Sequence, residues 1–119
     1  ARSKIFKALD FPEIGELEVA LSWEQQPGFT FRFVREDGTP LASGFSLETW
    51  DDELVIMKGR QFESISKIPN QPGSVHLRIY INRKSGEITV CTYDGRKLAG
   101  ISGEPDNEKS RRGILLFNI

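Results

Sequence analysis

The stretch IYINRKSGEITVCTYDGRKLAGI, Ile79 to Ile101, decides the fold. Apolar residues fall at every second position through its first part, a period that only a half-buried strand satisfies. Two glycine turns divide the stretch, Lys84-Ser85-Gly86 and Asp94-Gly95, where glycine tolerates the positive φ of a tight hairpin. The reading is strand, tight loop, strand, two-residue turn, strand. No helical period occurs in it, and no catalytic motif, so the sheet itself is the feature to explain.

The same period extends outward in both directions. In SVHLRIYIN, Val75, Leu77, Ile79 and Ile81 face inward while His76, Arg78, Tyr80 and Asn82 face out. In ELEVALSW, Leu17, Val19, Leu21 and Trp23 alternate with Glu16, Glu18, Ala20 and Ser22, which assigns Trp23 to the core. FTFRFVR sets Phe29, Phe31 and Phe33 against Thr30, Arg32 and Val34, and EQQPG between these two strands has the composition of a five-residue hairpin loop. EDGTP turns the chain into a third strand around Leu41 to Thr49. LVIMK, FESISKI and ILLFNI are further strands, separated by WDDE, Gly59-Arg60 and the loop PNQPG. Residues 103–113, GEPDNEKSRRG, are charged and rich in turn formers, which predicts a mobile surface loop. The total is about nine or ten strands with turn signals roughly every 8 to 12 residues, the pattern of an all-β sandwich of two antiparallel sheets.

Composition sets the bounds. A chain of 119 residues forms one domain, 1–119, with eight Phe and two Trp to fill its interior. Sixteen basic residues against 17 acidic ones give a formal net charge of −1, so no field favours a nucleic acid or an anionic membrane surface. The single Cys91 cannot form an internal disulfide and fits a reducing cytosol and an exported domain alike. No run of about 18 apolar residues is present to form a transmembrane helix. The chain begins ARSK and stops at LLFNI in mid-strand by pattern, which predicts a domain excised from a longer protein.

The segment VHLRIYINRKSGEITVCTYDGRKLAGI resembles the core meander of concanavalin A-like and laminin-G-like jelly rolls. Together with RRGILLFNI it is similar to lectin-like domains of multidomain proteins from planctomycete-type bacteria. The resemblance covers the second half of the chain by its turn motifs and the first half by pattern only. It implies a jelly-roll sandwich whose concave face or edge loops hold carbohydrate, and an extracytoplasmic or cell-surface location. It hands over no catalytic residue.

The candidate sites follow from side-chain chemistry. Trp23, Trp50, Tyr80 and Tyr93 are the amphipathic aromatics able to stack on a sugar, and of these Tyr80 projects from the polar face of its strand beside Arg78 and Asn82, with His76 further along. Single exposed aromatics are also common without a ligand. Asp51, Asp52 and Glu53 offer hard oxygen ligands suited to calcium, although consecutive acids at a strand boundary more often form a hydrated turn. Glu16 and Glu18 share one strand face roughly 6.6 to 6.8 Å apart, within range of the carboxylate pairs of glycosidases, which stand about 5 to 9.5 Å apart. The ordinary reading of that pair is a solvated face, since no aromatic accompanies it there. His76 has no nucleophile beside it in a recognisable motif, and Cys91 reads as inert packing. The leading expectation is therefore a non-catalytic, lectin-like module that binds carbohydrate or neighbouring domains of its parent protein, with no cofactor unless calcium. A glycoside hydrolase using Glu16 and Glu18, and a purely structural spacer, are the alternatives.

Overall fold

The computed structural model describes residues 4–10, 13–25, 27–35, 37, 40–68, 71–103 and 112–118. Ten strands run through them: β1 (Lys4–Asp10), β2 (Ile14–Trp23), β3 (Thr30–Val34), β4 (Pro40–Trp50), β5 (Glu53–Lys58), β6 (Gln61–Lys67), β7 (Gly73–Asn82), β8 (Glu87–Thr92), β9 (Lys97–Ile101) and β10 (Arg112–Asn118). They form an all-β sandwich of two antiparallel sheets, one with the order β1-β10-β3-β4-β5-β6 and the other β2-β7-β8-β9. Among the described residues no helix is long and apolar enough to cross a membrane.

Alternation explains the layers. Val19, Leu77, Ile79, Ile81, Ile88, Val90, Ala99 and Ile101 from the four-stranded sheet share one buried cluster with Phe33, Phe45, Leu47, Leu54, Ile56 and Ile65 from the six-stranded sheet. Each fully buried aliphatic or Phe side chain contributes about 1.5–3 kcal/mol of transfer free energy. Ten consecutive cross-strand pairs, from Ile14↔Asn82 to Trp23↔Gly73, hold β2 against β7. A slip of one residue would turn Leu77, Ile79 and Ile81 out to water, so the core sets the register. Trp23 is partly buried against this core, its indole N–H donating to Gln71 O at 3.1 Å.

One expectation changes and two features are added. The strand at Lys4–Asp10, pairing with the last strand, is not visible as a strand in the sequence pattern. EQQPG does not close a hairpin, because β2 and β3 lie in different sheets and the segment carries the chain from one layer to the other. Local composition marks a turn but cannot say whether the next strand pairs with the last. Val55, flanked by the core residues Leu54 and Ile56, faces away from the core and is nonetheless buried, at 1% exposure. Its register partners are Glu48 and Ser64, and further along the same two strands the rings of Trp50 and Phe62 meet at 4.9 Å, centroid to centroid. LVIMK is thus apolar on both faces of its strand. Most of the loop expected at residues 103–113 lies outside the described residues; Gly103 is held and Arg112 opens β10.

The sheets are tied together along the β6 and β9 edge. Lys58, buried at the end of β5, donates from Nζ to Gly86 O at 2.9 Å, and Gly103 N donates to the same carbonyl at 3.0 Å. Gln61 Nε2 adds a bond to Ser102 O at 2.5 Å. A Cβ on Gly103 would lie 2.6 Å from Lys58 Nζ and 3.1 Å from Gly86 O, whereas one on Gly28 would meet nothing within 4 Å. Gly103→Ala should therefore destabilise the fold by about 1–3 kcal/mol, with Gly28→Ala near neutral. Urea denaturation of the two variants checks this, and equal midpoints would refute the clamp.

Candidate functional site

The outer face of the four-stranded sheet carries the polar half of the alternation. Register brings Tyr80 of β7 between Glu16 of β2 and Thr89 of β8, and Arg78 between Glu18 and Cys91. The two glutamates of the sequence reading thus stand beside the aromatic and basic residues of the binding reading. The expectation that no aromatic accompanies Glu16 and Glu18 is corrected, because the neighbouring strand supplies Tyr80. Pairing between distant strands is invisible in the sequence of either one.

The side chains interlock. The His76 ring N–H, Nε2, donates to Glu18 Oε1 at 2.5 Å. Arg78 Nε lies 3.4 Å from Glu16 Oε1, an ion pair in which that nitrogen is shielded from solvent and makes no well-aligned hydrogen bond. Interaction with the Tyr80 hydroxyl, and next with the Tyr93 hydroxyl, pushes the Arg78 pKa upward. Tyr93 completes the face: His76 stacks on its ring at 4.1 Å and 22°, and the Arg78 guanidinium carbon sits 4.4 Å from the ring centroid, a cation–π contact. Tyr80 and Tyr93 remain 38% and 49% exposed. Two phenols that reach solvent, set among donors and carboxylate acceptors, give this face a chemistry suited to hydroxyl groups.

Tyr93, a sugar-stacking candidate by residue type alone in the sequence, is brought to the Tyr80 surface by the fold. It follows the last residue of β8, where the two-residue alternation stops and no longer tells which face a side chain joins. The turn after it is built by hydrogen bonds. Thr92 Oγ1 donates to Asp94 Oδ1 and accepts from Arg96 N at 3.0 Å, and Thr92 N donates to Arg96 O at 2.8 Å. Gly95 takes φ 96°.

The other candidates are placed elsewhere. Asn82 serves the β7–β8 turn, its Oδ1 accepting from Ser85 N at 3.1 Å. Trp50 lies on the outer face of the opposite sheet, its indole N–H donating to Glu48 Oε1 at 3.2 Å, so it cannot share a ligand with Tyr80. Asp51 and Asp52 form the two-residue turn between Trp50 and Glu53, with Asp51 at φ 53°. Lys67 spans Asp52 and Glu53 at 3.5 and 3.1 Å. Among the described residues, no group of three or more His, Cys, Asp or Glu side chains is gathered as a metal site. Cys91 is buried on the outer side of β8, in register between Arg78 and Lys97.

The Thr92 hydroxyl holds the Asp94 carboxyl below its ordinary range. A depressed carboxyl stabilises the fold above its unfolded pKa, and that contribution disappears as pH falls through the folded value. In Thr92→Val the folded titration midpoint of Asp94 should rise toward the ordinary aspartate value, and the stability difference from the parent should shrink in acid. A carboxyl-carbon NMR titration reads the midpoint, and an unmoved one would refute this account.

No protein-family model and no curated protein sequence matches the chain. Its fold is similar to part of a solved structure named "Sialidase", with a TM-score of 0.68 and 15% sequence identity over 98% of this chain. The match spans 10% of that longer protein, and at this identity it establishes that the two share a β-rich fold.

Proposed function

We propose that the chain is a non-catalytic, lectin-like module of the concanavalin A-like type, and that carbohydrate binds on the outer face of its four-stranded sheet. The observation that carries this reading is the pair of exposed phenols, Tyr80 and Tyr93, positioned by Arg78 and His76 on a rigid sheet. Rings fixed in advance lose little entropy when a sugar stacks on them. Likeness to a small part of a sialidase chain is in keeping with a carbohydrate-related accessory role in a longer, extracytoplasmic or cell-surface protein.

The catalytic alternative is weaker on chemical grounds. A glycosidase needs one carboxyl kept protonated by an apolar setting. Glu16 and Glu18 are both solvent-accessible and each faces a basic side chain. A spacer role draws on a different observation, the Trp50–Phe62 contact, where Phe62 is 58% exposed on the opposite face.

A thermal-shift screen over glycans, with and without calcium, is the direct test, since a ligand of the native state alone must raise the melting point. For any glycan that binds, Tyr80→Ala and Tyr93→Ala should each weaken affinity by about 1 kcal/mol, roughly fivefold. Trp50→Ala should leave that affinity unchanged. Undiminished binding by both tyrosine variants would overturn the placement, and hydrolysis lost in Glu16→Gln or Glu18→Gln would replace the module with an enzyme.

A further inference from the structure

We propose that the free edge of β2 is a self-association site, at which a second copy of this chain pairs its own β2 antiparallel and joins the two four-stranded sheets into one continuous sheet. The inference goes beyond the carbohydrate reading and does not rest on it.

An edge strand exposes a row of backbone N–H and C=O groups that another strand can pair with, and folds blunt such edges with short strands, bulges or proline. Among the described residues β2 is the outermost strand of its sheet, and it runs ten residues, Ile14–Trp23, without a proline. Its register with β7 is unbroken, whereas β9 at the opposite edge has five residues and a register shift beside Cys91. One bond shows which groups point outward. Arg83 N donates to Glu13 O at 2.8 Å, and these two residues continue the β2–β7 register. Bonded and non-bonded pairs alternate along an antiparallel ladder, so Gly15, Leu17, Val19, Leu21 and Trp23 aim their backbone groups at β7. Ile14, Glu16, Glu18, Ala20 and Ser22 aim theirs at the free edge. On the core side the cover is incomplete there, since Leu17, Leu21 and Trp23 pack against the core and are only half-buried.

The strand is complementary to itself in one register. A two-fold axis through Val19 sets Glu18 against Ala20 of the second copy and Glu16 against its Ser22; on the core side it sets Leu17 against Leu21 and Trp23 against Gly15. The residues that aim at the edge then form the bonded pairs, as the ladder requires. An axis through Glu18 would set that residue against itself, one through Leu17 would set Glu16 against Glu18, and one through Ala20 would set Glu16 against Glu24. Each of these opposes like charges, which destabilises a strand pair. A formal net charge of −1 per copy adds little repulsion. The axis stands perpendicular to the joined sheet, so the Tyr80 faces of both copies lie on the same side of it.

Sedimentation velocity from about 1 μM to about 1 mM should show a reversible monomer–dimer equilibrium. Ala20→Pro removes an N–H that aims at the edge and no bond to β7, so it should abolish the dimer while the circular-dichroism spectrum stays that of the parent. The Ala20 side chain is exposed, which allows two variants that spare the fold. Ala20→Lys, facing Glu18 of the second copy, should tighten the dimer about fivefold, and Ala20→Glu should weaken it by about as much, with high salt shrinking the difference. If Ala20→Pro fails to fold, these charge variants decide. A monomer at every concentration, a dimer indifferent to both charge variants, or open-ended assembly in place of a closed dimer would each overturn the inference. None of these outcomes bears on the carbohydrate reading, which the glycan screen decides.

Discussion

Every surface of this protein depends on the contact between the inward faces of two sheets. Leu77, Ile79, Ile81, Ile88 and Val90 on one side and Phe45, Leu47, Leu54 and Ile56 on the other are buried together. Because a strand projects side chains alternately, fixing these residues inward fixes their neighbours outward. Tyr80 and Arg78 are presented to solvent because Ile79 and Ile81 are not. The outward polar face is thus a consequence of the core.

The two outer faces were given different chemistry. On the four-stranded sheet the exposed positions hold ionic and phenolic groups that bind one another, with Tyr93 between His76 and Arg78. On the six-stranded sheet the rings of Trp50 and Phe62 meet each other on the outer face. Apolar contact of that kind is suited to meeting another protein surface, whereas exposed phenols among hydrogen-bonding groups are suited to a hydroxylated ligand. The two sides of the sandwich are therefore chemically distinct.

Long-range closure is handled by polar groups in the interior. Lys58 reaches from β5 to the turn after β7, and the chain following β9 joins the same carbonyl through Gly103. A buried ammonium is tolerated only when its donors are met. At this edge it connects strands that are remote in sequence and belong to different sheets, which no local pairing could do.

Sequence alone was sufficient for the class of fold, most of the strands and the inside-or-outside sense of β2 and β7, because a two-residue period is a local property that survives any tertiary arrangement. It also gathered Tyr80, Arg78 and His76, which share one strand. The partnership of those residues with Glu16, Glu18 and Tyr93, the separation of Trp50 to the opposite face, and the pairing of β1 with β10 arose only in three dimensions. Each of them joins positions far apart in the chain, and which strands become neighbours is decided by how two whole sheets cover each other, a choice that no single segment encodes.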